Sequence, residues 1–349
     1  FVFRHFGHKI VAVTGTKGKS TTTALIAHML RQKLKKVTLA GNMGIPPFHV
    51  IDQLPGADAA VFEVSSHQLQ YVSDAPRVAI LLNLFPEHLD YYREVESYYN
   101  AKRNIFRFQT KDDVIVLNND EPLVFQSAQG SVAQVINYSV AGKKVTGAWL
   151  QNGCICYGES QNSEIVSVDQ LPLKGIHNIS NCLAAVCAVS YFGLTGTEME
   201  DGLKTFENLP HRMEKIESPT GRIFYNDSIA TIPEATLAAI EALKPVSTLI
   251  LGGMDRGLDY EDFVEKISGS CVQNICLYGD AGMRMYHLLK EKGSSVNLHF
   301  TKVFADCVKR AVSLTEKGQI CLLSPAAASY DQFKNFEERG EAFRKTINS

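Results

Sequence analysis

The sequence predicts an α/β protein in two parts, each a largely parallel sheet covered by helices. Three observations predict it. Short apolar runs recur along the chain, beginning with Ile10-Val11-Ala12-Val13, and they are continuous rather than alternating, as strands buried on both faces require. Each run ends in polar or Gly-rich residues, where open α/β sheets place their ligands. Segments of helical period separate the runs, and the alternation restarts near Leu209-Pro210-His211-Arg212. A length of 349 residues suits two domains, expected at 1–209 and 210–349.

The first strand stops abruptly at Thr14-Gly15-Thr16-Lys17-Gly18-Lys19-Ser20, and a helix follows with Leu25, Ile26, Met29, Leu30 and Leu34 on one face. Strand, Gly-rich turn and helix start make a phosphate cradle. The glycines let backbone N–H groups approach an anion, and the helix N-terminus adds partial positive charge. Lys19 can reach terminal phosphates and the Ser20 hydroxyl can ligate Mg²⁺. In the usual GxxxxGK[ST] spacing the first glycine would fall at Val13; the chain carries the shorter GxxGKS form. The competing reading is a Lys/Thr-rich turn that merely caps a helix. The strand before and the helix after favour a nucleoside-triphosphate site in a P-loop-type parallel-sheet ATPase domain.

Further strands are predicted at 36–40, 59–64, 77–84 and 113–117, and a helix at about 97–108 carries Lys102. Residues 120–172 become rich in Gln, Asn, Ser and Gly, with short runs at 133–140 and 154–157, which reads as a small subsidiary sheet. Gly175-Ile176-His177-Asn178 opens a long Ala/Val-rich helix to about residue 192. Beyond the restart, strands at 223–226, 248–251, 275–278 and 320–323 alternate with helices at about 233–243, 260–268, 281–292, 305–316 and 335–347. This is a smaller, Rossmann-like α/β domain. Its strand ends are again polar, at Asp227-Ser228, Gly252-Gly253-Met254-Asp255-Arg256 and Ser324-Pro325.

Apolar residues at 45% and charged residues at 21% are ordinary for a globular protein with a sizeable core. A net charge of −2 gives no reason to expect nucleic acid or a charged membrane as partner. Eight cysteines are scattered without a CxxC pair or metal-type spacing, so a reduced, cytoplasmic setting is expected. Cys182, Cys187 and Cys321 sit in apolar patterns and read as small hydrophobes. No run approaches a membrane span or a signal peptide. The chain starts at Phe1 and reaches its first core strand within ten residues, which reads as a fragment lacking an upstream domain. A monomer is expected.

GTKGKSTTT, GNMGIP, FEVSSHQL, NLFPEHLD, YNAKRNIF, GIHNISN, LPHRME, NDSIAT and LLSPAAASYDQFKNFEERG stand in this order. Together these blocks resemble the Mur ligase family of ATP-dependent amide-forming enzymes, over roughly residues 9–345, and most of all its glutamate-adding members. The resemblance implies that ATP phosphorylates the carboxylate of UDP-N-acetylmuramoyl-L-alanine. Glutamate then attacks the acyl phosphate, giving an amide, ADP and phosphate. It implies two Mg²⁺ sites. Gly15, Thr16, Gly18, Lys19, Ser20 and Thr21 would cradle the phosphates, and Ser20 with Glu63 would hold the first Mg²⁺. His88 and a CO₂-carbamylated Lys102 would serve the second, with Lys19, His88 and Lys102 as the catalytic group. Read without the resemblance, Glu63 is a solvated strand-end acid, His88 a capping or core histidine, and Lys102 a surface lysine.

By the same resemblance Asn42, Ser65, Gln68 and His88 line the acyl substrate. Asn178, Asn181, Arg212 and Asp227 contact the nucleotide, with an N-cap role competing for Asn178. Ser329 and the backbone N–H of Phe336 would hold the side-chain carboxylate of glutamate, and Thr231 and Arg256 its α-carboxylate. The alternative is that Ser329 caps the last helix and Arg256 pairs with Asp259. Two positions depart from the glutamate-adding pattern, which usually has lysines where this chain has Ile229 and Arg256. The second keeps the charge in forked form; the first loses it.

Overall fold

The computed structural model describes residues 1–41, 45–87, 89–158 and 164–348. The chain divides into two compact units, Phe1–Glu207 and Asn208–Ser349.

In the first unit the strands are β1 (Ile10–Thr14), β2 (Val37–Gly41), β3 (Ala59–Glu63), β4 (Val78–Leu81), β5 (Val114–Asn118), β6 (Gln134–Ser139), β7 (Ala148–Gln151), β8 (Cys154–Tyr157) and β9 (Glu164–Ser167). They form one sheet of nine in the order β2-β3-β1-β4-β5-β6-β7-β8-β9. Pairing from β2 through β7 is parallel, and β8 runs antiparallel to both its neighbours. The region 120–172 was expected to make a subsidiary sheet; its strands instead extend the main one. The first β6–β7 link is only two residue pairs, Tyr138↔Ala148 and Ser139↔Trp149, so composition changes there while hydrogen bonding continues.

All residues of β1, β3, β4 and β5 are buried, which is why their apolar runs are continuous. On one face Ile10, Ala12, Phe62, Leu81 and Leu117 pack with Tyr98 and Ile105 of the helix Val95–Arg107. The helices Lys19–Leu30 and Ile176–Ser190 pack against each other and against the sheet. Strand order runs outward on both sides of β1, so its carboxyl end lies at the crevice where such sheets take ligands.

The second unit contains β10 (Glu214–Glu217), β11 (Ile223–Asn226), β12 (Val246–Gly252), β13 (Asn274–Tyr278), β14 (Asn297–Thr301) and β15 (Ile320–Leu323). The order is β10-β11-β15-β12-β13-β14, parallel except at β10–β11. Side chains alternate between two apolar layers. Leu249, Leu251, Ile275 and Leu277 face the layer holding Phe263, Ile267 and Met285. Ile250, Cys276, Tyr278 and Leu323 face the layer holding Phe304, Val308 and Phe343. Cys321, in the second of these layers, and Cys182 and Cys187, on the helix Ile176–Ser190 of the first unit, are buried free thiols. Among the described residues no helix is long and apolar enough to cross a membrane.

Candidate active site

β1 ends at Thr14, and the next turn delivers Gly18 as N-cap of the twelve-residue helix Lys19–Leu30 with φ +85°. A Cβ on Gly18 would come within 2.4 Å of Asn181 Oδ1, so both conformation and space require glycine. Lys19 is folded over its own loop, its Nζ donating to Gly15 O (3.0 Å) and Thr16 O (2.9 Å). Ser20 and Thr21 lie half-buried in the first helical turn.

Sequence reasoning missed what braces this loop. Asn83, just beyond β4, clamps the Lys17 peptide from both sides. The Lys17 N–H donates to Asn83 Oδ1 (2.8 Å), and Asn83 Nδ2 donates to Lys17 O (3.0 Å). Buried Thr16 accepts from the Phe85 N–H (3.0 Å) and the Tyr98 hydroxyl (3.2 Å), and donates to Phe85 O (3.2 Å). Burial raises the Tyr98 pKa to about 12, so its hydroxyl stays a donor at neutral pH. The hydroxyl of Thr16 thus braces the loop from within.

Parallel register sets Glu63 beside Val13 at the end of β3, and the residue is 3% exposed, so it is not the solvated strand-end acid expected without the resemblance. Lys102 is not a surface lysine either: it is 2% exposed, on the buried stripe of Val95–Arg107 with Tyr98 and Ile105. Its Nζ donates to Gly15 O at 2.7 Å and lies 4.8 Å from the Tyr98 ring centre. Burial, then the neighbouring charge of Lys19, lowers its pKa from 10.5 to about 7. A buried amine near neutrality has an available lone pair.

The donor chemistry fits MgATP. A phosphate finds a helix N-terminus and Lys19; Ser20 and Glu63 offer the hard oxygens that Mg²⁺ prefers. Among the described residues no three His, Cys, Asp or Glu side chains form a metal cluster. His88 and Asn42 lie outside the described residues.

Asn178 and Asn181 are buried on the helix packed against the loop helix. The Thr22 hydroxyl donates to Asn181 Oδ1 (3.2 Å), Asn181 Nδ2 to Asn178 Oδ1 (3.2 Å), and Asn178 Nδ2 to Lys174 O (2.8 Å). Gly175 holds the N-cap position, which removes that reading for Asn178. Ser65 and Gln68 form a reciprocal capping box on the short helix Ser66–Leu69.

In the second unit a cavity of about 210 Å³ is lined by Ile229, Thr231, Arg256, Ala328, Ser329, Tyr330 and Phe336. Its walls follow the carboxyl ends of β11, β12 and β15, three adjacent strands. An Arg256 terminal nitrogen lies 3.5 Å from Thr231 O, while Asp259 accepts from the Glu261 N–H (2.9 Å). Ser329 is buried and does not cap the last helix; Asn335 does, accepting from the Glu338 N–H (2.8 Å). Phe336 occupies the first helical position, where a backbone N–H has no intrahelical acceptor. Asp227 is buried beneath, held by the Ser324 hydroxyl (2.9 Å) and the Met213 N–H (3.1 Å). Burial lifts its carboxyl from 3.8 to about 7. Arg212 is half-buried at the start of the same unit.

Residues 13–189 match the Mur ligase middle domain, and residues 211–327 match the Mur ligase glutamate ligase domain. The chain is 34% identical over 350 residues to the UDP-N-acetylmuramoylalanine–D-glutamate ligase of Thermoanaerobacter pseudethanolicus, covering 99% of this chain and 77% of that one. The ligase of the same name from Latilactobacillus sakei is 37% identical, covering 95% and 73%. In backbone the chain resembles MurF of Acinetobacter baumannii, with TM-score 0.78, 16% identity and coverage of 99% and 78%. MurC of Thermotoga maritima gives TM-score 0.71, 20% identity and coverage of 99% and 76%. With both units matched and the phosphate loop in place, the chain belongs to the Mur ligase family of ATP-dependent, ADP-forming amide ligases.

Proposed function

We propose that this ligase joins glutamate, in the D form named for its relatives, to UDP-N-acetylmuramoyl-L-alanine in peptidoglycan precursor synthesis. The observation that carries this reading is the pocket in which Thr231, Arg256, Ser329 and Phe336 stand together. An amino diacid needs two anion sites across a cavity, with its amine left free to attack. The Ser329 hydroxyl and the Phe336 N–H suit the side-chain carboxylate, at a helix start that favours an anion. Arg256 can take the α-carboxylate bidentately, with the Thr231 hydroxyl beside it. Ile229 makes one wall apolar.

In this reading the loop from Gly15 through Thr21 receives the phosphates, and Asn178, Asn181, Arg212 and Asp227 contact the nucleotide. Asn42, Ser65, Gln68 and His88 orient the acyl substrate. Ser20 and Glu63 hold one Mg²⁺, and His88 with carbamylated Lys102 hold a second. The ions supply charge neutralisation on the transferring phosphoryl group. The Lys102 amine, neutral in good part at pH 7, adds to the carbon of CO₂ and releases one N–H proton. A buried cation thereby becomes an anionic oxygen donor. The enzyme is proposed to act as a cytoplasmic monomer.

The test offers D-glutamate, L-glutamate, alanine and lysine in competition, with MgATP and UDP-N-acetylmuramoyl-L-alanine, and reads ADP and product. Glutamate is preferred, and Arg256→Ala loses it mainly through KM. Preference for alanine or lysine would sink the acceptor assignment. Lys19→Ala lowers ATP affinity about tenfold or more in calorimetry, from loss of a hydrogen bond to a charged group; unchanged affinity would remove the phosphate-loop role. Lys102→Ala abolishes turnover, and small added carboxylates restore part of it. Full activity of that variant excludes the carbamate.

A further inference from the structure

Arg339 lies in the helix Phe336–Ile347 with its side chain fully buried. Its guanidinium is spent on neutral acceptors. Nε donates to Ser228 Oγ (3.0 Å), and one terminal nitrogen donates to the Tyr278 hydroxyl (3.1 Å) and Ala327 O (3.0 Å). The other donates to Ser228 O at 2.7 Å. Among the described residues no carboxylate forms an ion pair with it. Guanidinium cannot neutralise itself by losing a proton, so its burial is costly unless its N–H groups are bonded; Asp331 is near enough for the guanidinium charge to oppose the rise that burial gives its carboxyl pKa.

The guanidinium ties together two of the pocket's walls, the segments that follow β11 and β15, and belongs to the helix whose start closes the pocket at Phe336. Ser228 precedes Ile229, and Ala327 precedes Ala328 and Ser329. Arg339 itself stands one turn into the helix that begins with Phe336, and the Ser228 hydroxyl donates to Phe336 O at 2.8 Å. Gly253 leaves no space for a side chain beside the fork: a Cβ there would come within 2.2 Å of Ala328 O and 3.1 Å of a guanidinium nitrogen. A lysine could not hold four neutral acceptors in this planar arrangement.

We infer that Arg339 is the positioning residue of the amino-acid pocket. It sets the spacing of Ser329 and Phe336 against the Ile229 wall, and supplies behind them a permanent positive charge that selects an acceptor with an anionic side chain. The inference rests on the reading of this pocket as the amino-acid site. It explains how the pocket favours an amino diacid although Ile229 brings no charge. The charge acts at a distance, through walls it also holds in place, so its loss acts first on acceptor binding, while Asp227, next to Ser228 and assigned to the nucleotide, keeps its own bonds to Ser324 and Met213.

The experiment follows ADP release at saturating MgATP and UDP-N-acetylmuramoyl-L-alanine, with D-glutamate varied. Arg339→Gln raises the glutamate KM about tenfold or more, leaves the ATP KM within about twofold, and reduces the preference for glutamate over glutamine. Arg339→Lys, which keeps the charge, recovers part of that preference. Ser228→Ala cuts the link to Phe336 and removes the Nε acceptor but keeps the Arg339 charge, raising the glutamate KM about threefold with the preference over glutamine retained. This second variant decides the matter if melting shows that Arg339→Gln does not fold. An unchanged glutamate KM in the folded variants, or a parallel rise in the ATP KM, overturns the inference. Absence of glutamate use by the unaltered enzyme, or its indifference to Arg256→Ala, overturns the pocket reading and the inference with it. Dependence on Arg256 without dependence on Arg339 or Ser228 overturns the inference alone.

Discussion

Lys102 is a cation that folding has taken out of water and set near a second one. Its pKa falls from 10.5 to about 7, so between those values the unfolded chain binds a proton that the native chain does not. Stability therefore rises with pH across that window, and the penalty for burying the charge is fullest at and below pH 7. Lys102→Met removes the titrating group. In CO₂-free buffer it stabilises the protein near pH 7 by up to a few kcal/mol, at roughly 1.4 kcal/mol per pH unit, less about 1 kcal/mol for the lost bond to Gly15 O. The pH dependence between 7 and 10 flattens. Urea melts at pH 7 and 9.5 read both effects; a variant less stable at pH 7 with an unchanged slope would refute the burial argument. The sequence held a clue to this residue. Tyr98, Lys102 and Ile105 are spaced four and three residues apart on one helical face, and the outer two are apolar. Arg339 carries the same mark, between Phe336 and Phe343. A charged residue in a helix reads as solvent-facing until its neighbours at that spacing are weighed, and what it then touches comes only from the tertiary fold.

Among the elements, the phosphate loop shows how a short motif depends on distant chain. Gly15 through Ser20 were legible because strand, glycines and helix start are contiguous; Asn83 was not, since the turn after β4 meets the loop only in the folded sheet. Asn83→Ala removes both bonds to the Lys17 peptide. Water replaces them at this exposed site, so the melting temperature moves little. ATP affinity falls about threefold to tenfold, from roughly 1 kcal/mol per bond no longer preorganising the loop. Calorimetric titration with MgATP measures it, and unchanged affinity would show that the loop holds its shape without the clamp. Strands were legible in proportion to their burial. Those at 154–157, 223–226 and 320–323 coincide with β8, β11 and β15. β7 and β9, short strands in the Gln/Asn/Ser/Gly-rich stretch, went unread, as did β10, with sequence EKIE, and β14, with NLHFT. β10 and β14 are sheet edges, half in water, where the continuous apolar signal of a parallel strand is absent. Ser65 and Gln68 carry a local capping pattern, S-x-x-Q, that sequence alone could have shown.

At the scale of the whole molecule, each unit builds its own interior. The first centres on β1, β3, β4 and β5, the second on two layers either side of β12, β13 and β15. Chains with separate cores need not unfold in one step. The composition supplies an unplanned reporter: the sole tryptophan, Trp149, stands in β7 of the first unit and is 2% exposed. Its fluorescence therefore follows the first unit, while far-UV circular dichroism follows both. Leu249 is fully buried in the middle of β12, and Leu249→Ala leaves a cavity that costs about 2–5 kcal/mol. In urea this variant lowers the midpoint of the dichroism change assigned to the second unit and leaves the Trp149 transition within error of the unaltered chain. If the tryptophan transition moves down by the same amount, the two interiors unfold as one cooperative body and the separate-core account fails.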